Sequence, residues 1–180
     1  ARELEQPEAR DLADLHARGH EIGAHSHTHL DCAKHNLSMV ERDIGENLVA
    51  LSEAGHSATV SAFAYPHGET TYAAKRWIGD VFATGRGVLP GVNTGEADRS
   101  QRRAVELTPT AASRRRALAM LKTCIETKGW LFFFTHDVSS SPSPYGAPDF
   151  MIEELAKRAT DAGAVLAAPT LGAVLSGVMD

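Results

Sequence analysis

Along the chain one pattern repeats: an amphipathic helix, a glycine, then a short β-rich run. Parallel strands need long crossovers, which are usually helices, so this order predicts an α/β protein with parallel strands. Leu12 and Leu15 carry the first helix, and Gly19 ends it before a strand at 20–24. The second helix is expected to open with a capping box, Ser38 followed by Glu41, and to align Val40, Ile44, Leu48 and Leu51 before Gly55. A strand at 59–65, a helix at 72–78 and a strand at 81–84 follow, then a Gly-rich loop from Gly85 to Gly95. The spacing of Leu118, Leu121 and Ile125 predicts a helix over 110–128, stopped by Gly129. The run from Trp130 to Phe134 lacks alternation, as expected of a strand covered on both faces. After a Ser/Pro loop at 139–148, a helix capped by Asp149 turns Ile152, Leu155 and Ala159 inward, Gly163 closes it, and 164–167 is the last strand. About five or six strands in one domain spanning residues 1–180 are expected, with no linker or repeat.

Composition agrees with one globular domain. The 180 residues are 43% hydrophobic and 23% charged, enough to bury roughly 70% of the unfolded surface. Eighteen Lys and Arg against twenty-three Asp and Glu give a net charge of -5, so no nucleic-acid partner is expected. Cys32 and Cys124 are too few for a disulfide framework and read as buried thiols. They leave the compartment open; the cytoplasm is the default expectation, and a targeting signal lost upstream is the alternative. Residues 162–179 carry no charge, but Gly163, Pro169, Gly172 and Gly177 interrupt them, so no membrane span is expected.

The chemistry concentrates in histidine. Nine are present, and five fall between His16 and His29, three of them in His25-Ser26-His27-Thr28-His29 at the C-terminal end of the first predicted strand. One helical turn after that strand brings His25 and His29 to the same side, where imidazoles chelate Zn²⁺ through bonds of about 2.0–2.1 Å, while His27 points elsewhere. Taken alone, such a pair is more often a solvated loop. Two further segments also end predicted strands: Phe63-Ala64-Tyr65-Pro66-His67-Gly68 and Phe133-Phe134-Thr135-His136-Asp137.

Together these segments resemble the polysaccharide deacetylases, the NodB-like carbohydrate esterases that remove N- or O-acetyl groups from glycans. The stretch from Gly19 to His29 is similar to the family's His-[Ser/Thr]-x-x-His metal motif with its Gly-His-Glu-Ile-Gly lead-in. The turn Tyr65-Pro66-His67-Gly68 is similar to its Pro-Tyr-Gly groove motif, and Phe134-Thr135-His136 to its late apolar-x-His motif. The resemblance implies a distorted or incomplete (β/α) barrel and a divalent metal, most often zinc. It implies His25 and His29 as metal ligands and His136 as the general acid to the leaving amine. It further implies that Phe134 lines the acetyl pocket, and that Tyr65, Pro66, His67 and Gly68 shape the groove for an acetylated oligo- or polysaccharide.

The chain also departs from that pattern. The family's Asp-Asp motif, a metal ligand and the catalytic base, belongs on a strand upstream of His20, where this chain has a helix. Asp11 and Asp14 do not match it. Either the chain is a truncated member lacking its first strands, or other ligands serve. Asp31 is the nearest substitute carboxylate, and its simpler reading is a cap for the following helix. Ala64 stands where many members carry an Arg that orients the base, and Arg86 is a candidate for that charge, or else a surface arginine. Arg99, Arg102, Arg103, Arg114, Arg115 and Arg116 read first as a solvated face and second as a surface for an anionic glycan. Three functions remain in view: a metal-dependent glycan deacetylase, a degenerate relative that binds carbohydrate without hydrolysing it, and an amidohydrolase-type site built on His25-x-His27. A sheet edge left open by missing strands makes a homodimer an expectation as well.

Overall fold

The structure is a computed structural model, and it describes residues 9–164. The described residues form two compact units that divide between Gly85 and Arg86.

The first unit holds α1 (Ala9–Ala17), α2 (Leu37–Glu53), β1 (Ala62–Ala64), a 3₁₀ turn at Pro66–Gly68 and α3 (Tyr72–Val81). Strand β2 (Thr84–Arg86) pairs with β1 and runs across the division. Helix α2 starts earlier than the capping box suggests. Asn36 is the cap and accepts from Met39 N at 3.0 Å, while Ser38 lies inside the helix and donates to the Asn36 side chain at 2.9 Å. Val40 and Ile44 are fully buried, and Leu48 packs against them. They meet Phe63, Tyr65, Ile78 and Phe82, a core whose rings sit edge-on or tilted at 5.1–5.3 Å. Cys32 lies in this core. The strand expected at 20–24 reduces to one parallel bridge, Ala24 to Phe63. Ala24 N donates to Ala62 O at 2.8 Å and Ala64 N donates to Ala24 O at 2.9 Å. A Cβ on Gly23 would meet Ala62 O at 3.2 Å, so glycine lets the two backbones approach there.

In the second unit are β3 (Val105–Glu106), α4 (Ala111–Thr127), β4 (Phe133–Phe134), β5 (Val138–Ser139), β6 (Ala147–Pro148) and α5 (Asp149–Asp161). Strands β3 and β4 pair in parallel, Val105 opposite Phe133, as do β5 and β6, Val138 opposite Ala147. The core is Leu107, Ala117, Leu121, Ala147, Met151 and Leu155, with Ala159 beside them. Thr110 caps α4 by accepting from Ser113 N at 3.1 Å. Lys128, not Gly129, takes the left-handed C-terminal position, with φ 51°. The glycine serves closeness instead: a Cβ on Gly129 would run into Val92 and Thr94. Helix α5 is preceded by Pro148 as its cap residue, so Asp149 is its first residue rather than its cap.

Three expectations about strands change. The Trp130–Phe134 run pairs in parallel only at Phe133 and Phe134, both half-buried, while Trp130 bridges Asn93 in the antiparallel sense. The Ser/Pro loop contains β5 and β6. Among the described residues the sheets are two-stranded and no barrel closes; closure needs two neighbours for every strand, which segments of two or three residues do not provide here. The class is mixed α/β with small sheets. Residues 165–167 of the last predicted strand and most of the apolar 162–179 stretch lie outside the described residues; among the described ones no helix is long and apolar enough to cross a membrane.

Candidate functional site

The His25–His29 segment is not helical. Ser26 and His29 both adopt left-handed backbone, φ 61° and 58°, which folds the segment back on itself. Residues other than Gly, Asn and Asp pay for such conformations, so something must hold them. Asp43 and Asn47, one turn apart on α2, do so. Asp43 accepts from His27 N at 2.8 Å, from Thr28 N at 3.3 Å and from Thr28 Oγ1 at 2.6 Å. Asn47 Oδ1 accepts from His25 N at 3.1 Å, and Ser26 Oγ accepts from Leu30 N at 2.9 Å. Asp43 is only 5% exposed. Burial alone would raise its pKa, but the hydrogen bonds from Thr28, His27 and Ser26 outweigh it, and the carboxyl is held below its ordinary range.

The result is a cluster of imidazoles. The His25 and His29 rings meet edge-on with centroids 4.9 Å apart, and the His29 and His67 rings do so at 4.7 Å. His25 Nδ1 lies 2.7 Å from Ala64 O. With the proton on Nδ1 donated to that carbonyl, the lone pair is on Nε2, the arrangement by which a backbone carbonyl orients a ligating histidine. His67 reaches the cluster from the Pro66–Gly68 turn, where it too is left-handed, φ 59°. His27 contributes its backbone N–H to the Asp43 anchor, and the ring contacts join His25, His29 and His67. Thus the two rings come together by a pair of left-handed residues on a helix-borne carboxylate, and not by the helical turn expected from the sequence.

The other expected site residues are placed unequally. Tyr65 is 1% exposed and packs edge-on against Phe63, and Pro66 and Gly68 are buried too. Of that turn His67 is the exposed residue. Asp31 is not a helix cap. It closes its own turn, accepting from Ala33 N at 3.0 Å and pairing with Lys34 at 2.8 Å, and the Lys34 contact leads in lowering its pKa.

Arg86 and Phe134 belong together in the second unit, the guanidinium 4.8 Å from the ring centroid. Burial pulls the Arg86 pKa down from its ordinary value. His136, also in the second unit, is exposed; its backbone N–H donates to Tyr145 O at 3.2 Å and its ring lies 5.6 Å from that of Tyr145. The arginine group does not act as one basic face: Arg102 is buried with its guanidinium over Trp130 at 4.4 Å, and Arg114 forms two hydrogen bonds of 2.7 Å to Glu154.

Residues 5–79 match the polysaccharide deacetylase family model. The matched residues contain the histidine cluster and the His67 turn, and the match supports the family resemblance and a deacetylase-type function. No curated protein and no solved structure matches the chain.

Members of that family are generally metal-dependent, and of the donors here His25 and His29 have the chemistry and spacing of a ligand pair. Two imidazoles sharing one tetrahedral Zn²⁺, with bonds of about 2.0–2.1 Å, hold their centroids roughly 5 Å apart. The observed separation of His25 and His29, 4.9 Å, fits. As the side chains stand, no three His, Cys, Asp or Glu among the described residues are grouped to hold a metal ion. Sequence reasoning missed Asp43. Its signal was a carboxylate on the apolar face of α2, between Val40 and Ile44.

Proposed function

We propose that residues 1–180 form a single polysaccharide deacetylase-like domain, of the distorted or incomplete barrel type, that removes N- or O-acetyl groups from a glycan. The observation that carries this reading is the close approach of the His25 and His29 rings, inside the matched segment, in a loop that Asp43 holds through His27 and Thr28. His25 and His29 are the ligands of a divalent metal, zinc by preference. Bound there, such a metal supplies a Lewis acid that polarises the acyl carbonyl and lowers the pKa of a water toward about 7.

The residues of the chain have their own tasks. Ala64 O fixes the His25 tautomer, so that the proton sits on Nδ1. Asp43 and Asn47 keep the loop in place without reorganisation at the moment of reaction. His136 is the general acid and gives a ring N–H proton to the departing amine or alkoxide, a role suited to imidazole near neutral pH. Phe134 with Arg86 over its face is the apolar wall with a positive edge for the acyl group, and Pro66, His67 and Gly68 frame the glycan, with Tyr65 beneath.

Acetate release from N-acetylated and O-acetylated oligosaccharides, with Zn²⁺, Co²⁺ or Mn²⁺ added, tests the reading. Release that disappears in His25→Ala and His29→Ala is the expected outcome. Carbohydrate binding with no acetate under any metal would leave the degenerate binding relative in its place. Dependence on His27 instead of His29 would favour the amidohydrolase-type site. A homodimer is part of the same proposal, and a monomeric mass in light scattering would remove it.

A further inference from the structure

We propose that the exposed ring of Tyr145 is the stacking face of a sugar subsite beside His136, where it receives the C–H face of one pyranose ring of the glycan. This rests on the reading of His136 as the general acid of a glycan deacetylase. It adds a residue that holds the sugar rather than the acyl group.

Three observations meet at this loop of the second unit. Tyr145 is 63% exposed, and its ring lies 5.6 Å from that of His136, tilted by 56°, so whatever covers the tyrosine also borders the imidazole. A single exposed ring is ordinary on a protein surface. An exposed ring on a backbone held from several directions is less so. Tyr145 O accepts from His136 N and from Thr135 Oγ1, each at 3.2 Å, and Tyr145 N donates to Ser143 Oγ at 3.3 Å. The next two residues are buried: Ala147 N donates to Asp137 O at 2.8 Å, and a Cβ on Gly146 would run into the Asp137 carboxylate. Pro142 and Pro144 restrict the loop further. A side chain with two rotatable bonds on so fixed a backbone loses little freedom when a ligand stacks on it. The chemistry of the loop then selects the ligand. Ser139, Ser140, Ser141 and Ser143 are all exposed, so the loop offers hydroxyls beside one aromatic face. A pyranose presents the matching surface, an apolar C–H face rimmed by hydroxyls, whereas a protein partner calls for a contiguous apolar patch.

Two probes test this on the full chain: a β-1,4-linked tetramer of N-acetylglucosamine and an O-acetylated xylotetraose, followed by calorimetry and by NMR of protein labelled in its tyrosine rings. The chain has three tyrosines, so the signals are few, and Tyr145→Phe identifies its own. Tyr72, 76% exposed at the start of α3 in the first unit, is the internal control. At least one probe should shift the Tyr145 ring signal and leave those of Tyr65 and Tyr72 in place. Tyr145→Ala, with its fold checked by thermal melting, should bind roughly tenfold more weakly, while Tyr145→Phe and Tyr145→Trp keep the stacking face and the affinity. In acetate release, Tyr145→Ala should raise KM more than it lowers kcat, and His136→Ala the reverse. Equal shifts at Tyr72 and Tyr145, unchanged affinity in Tyr145→Ala, an equal loss in Tyr145→Phe, or no binding of either probe would overturn the subsite. Sugar bound through Tyr145 with no acetate released sinks the deacetylase reading and leaves the subsite standing. Acetate released by Tyr145→Ala at an unchanged KM does the opposite.

Discussion

Two loops of this protein are built on the same small device and end differently. In the first unit Asp43 accepts from both the N–H and the hydroxyl of Thr28; in the second, Asp137 accepts from both the N–H and the hydroxyl of Ser143, at 3.0 and 2.5 Å. Asp43 is buried on a seventeen-residue helix, fifteen positions away in sequence from the threonine it holds. Asp137 is six positions from its serine, on an exposed loop, and touches no helix through that bond. The first arrangement gathers three imidazoles; the second carries the single His136 beside it. Gathering several donors requires an anchor that cannot follow the loop when the loop moves. A proton donor needs only to be accessible, and a local turn suffices.

The sharpest way to break this contrast is Asp43→Ala. It strips the acceptor from a cluster of N–H and O–H groups, so a loss of about 3 kcal/mol in urea unfolding is expected, with metal binding abolished. Asp137→Ala should cost far less by the same measurement and leave metal binding intact, because its partner Ser143 is exposed to water. Equal costs would erase the distinction drawn here.

Acid should separate the loops from a second direction. Asp43 has its pKa lowered in the folded state, so its contribution is complete above the ordinary 3.8 and is lost as pH falls through the lower folded value. His56 works earlier: burial first, then the charge of His16, lowers its pKa below the ordinary 6.5. The unfolded chain therefore binds that proton first, and stability declines as pH falls through about 6.5 toward the folded value. Thermal melts should show a first decline beginning near pH 6.5 that His56→Gln removes, and a second below pH 4 that Asp43→Asn reduces. Smallest of all, Arg114→Ala breaks an ion pair with Glu154 whose arginine is 42% exposed, and should shift the urea midpoint least of these changes, the effect diminishing with salt.

Much of the helical frame was legible in the sequence, because Val40, Ile44 and Leu48 repeat at helical spacing and helix boundaries follow local chemistry. The caps were less so: Asn36 and Ser38 both qualify as caps by residue type, and tertiary packing chose the earlier one. Strands were hardest. Whether Trp130–Phe134 pairs over five residues or two depends on what chain lies beside it, which no local pattern records. In the site, His25 and His29 stand side by side as expected, but the helical turn invoked for it does not form, and left-handed Ser26 and His29 bring the rings together instead. The contact with His67 and the Asp43 anchor depend on chain segments far apart in sequence, although a carboxylate inside the apolar stripe of α2 was there to be noticed.

Cys32 sits fully buried three residues after His29, and burial, reinforced by the charges of Asp31 and Asp43, pushes its pKa up to about 11. At neutral pH about one thiol in ten thousand is ionised, so alkylating reagents meet an almost inert sulfur until the core around it opens. Cys124, half-buried and donating to Gly129 O at 3.1 Å, lies in the other unit. The chain thus carries one internal chemical clock in each unit, and the order in which the two sulfurs are labelled would time the breathing of the core that holds Cys32 against that of the end of α4.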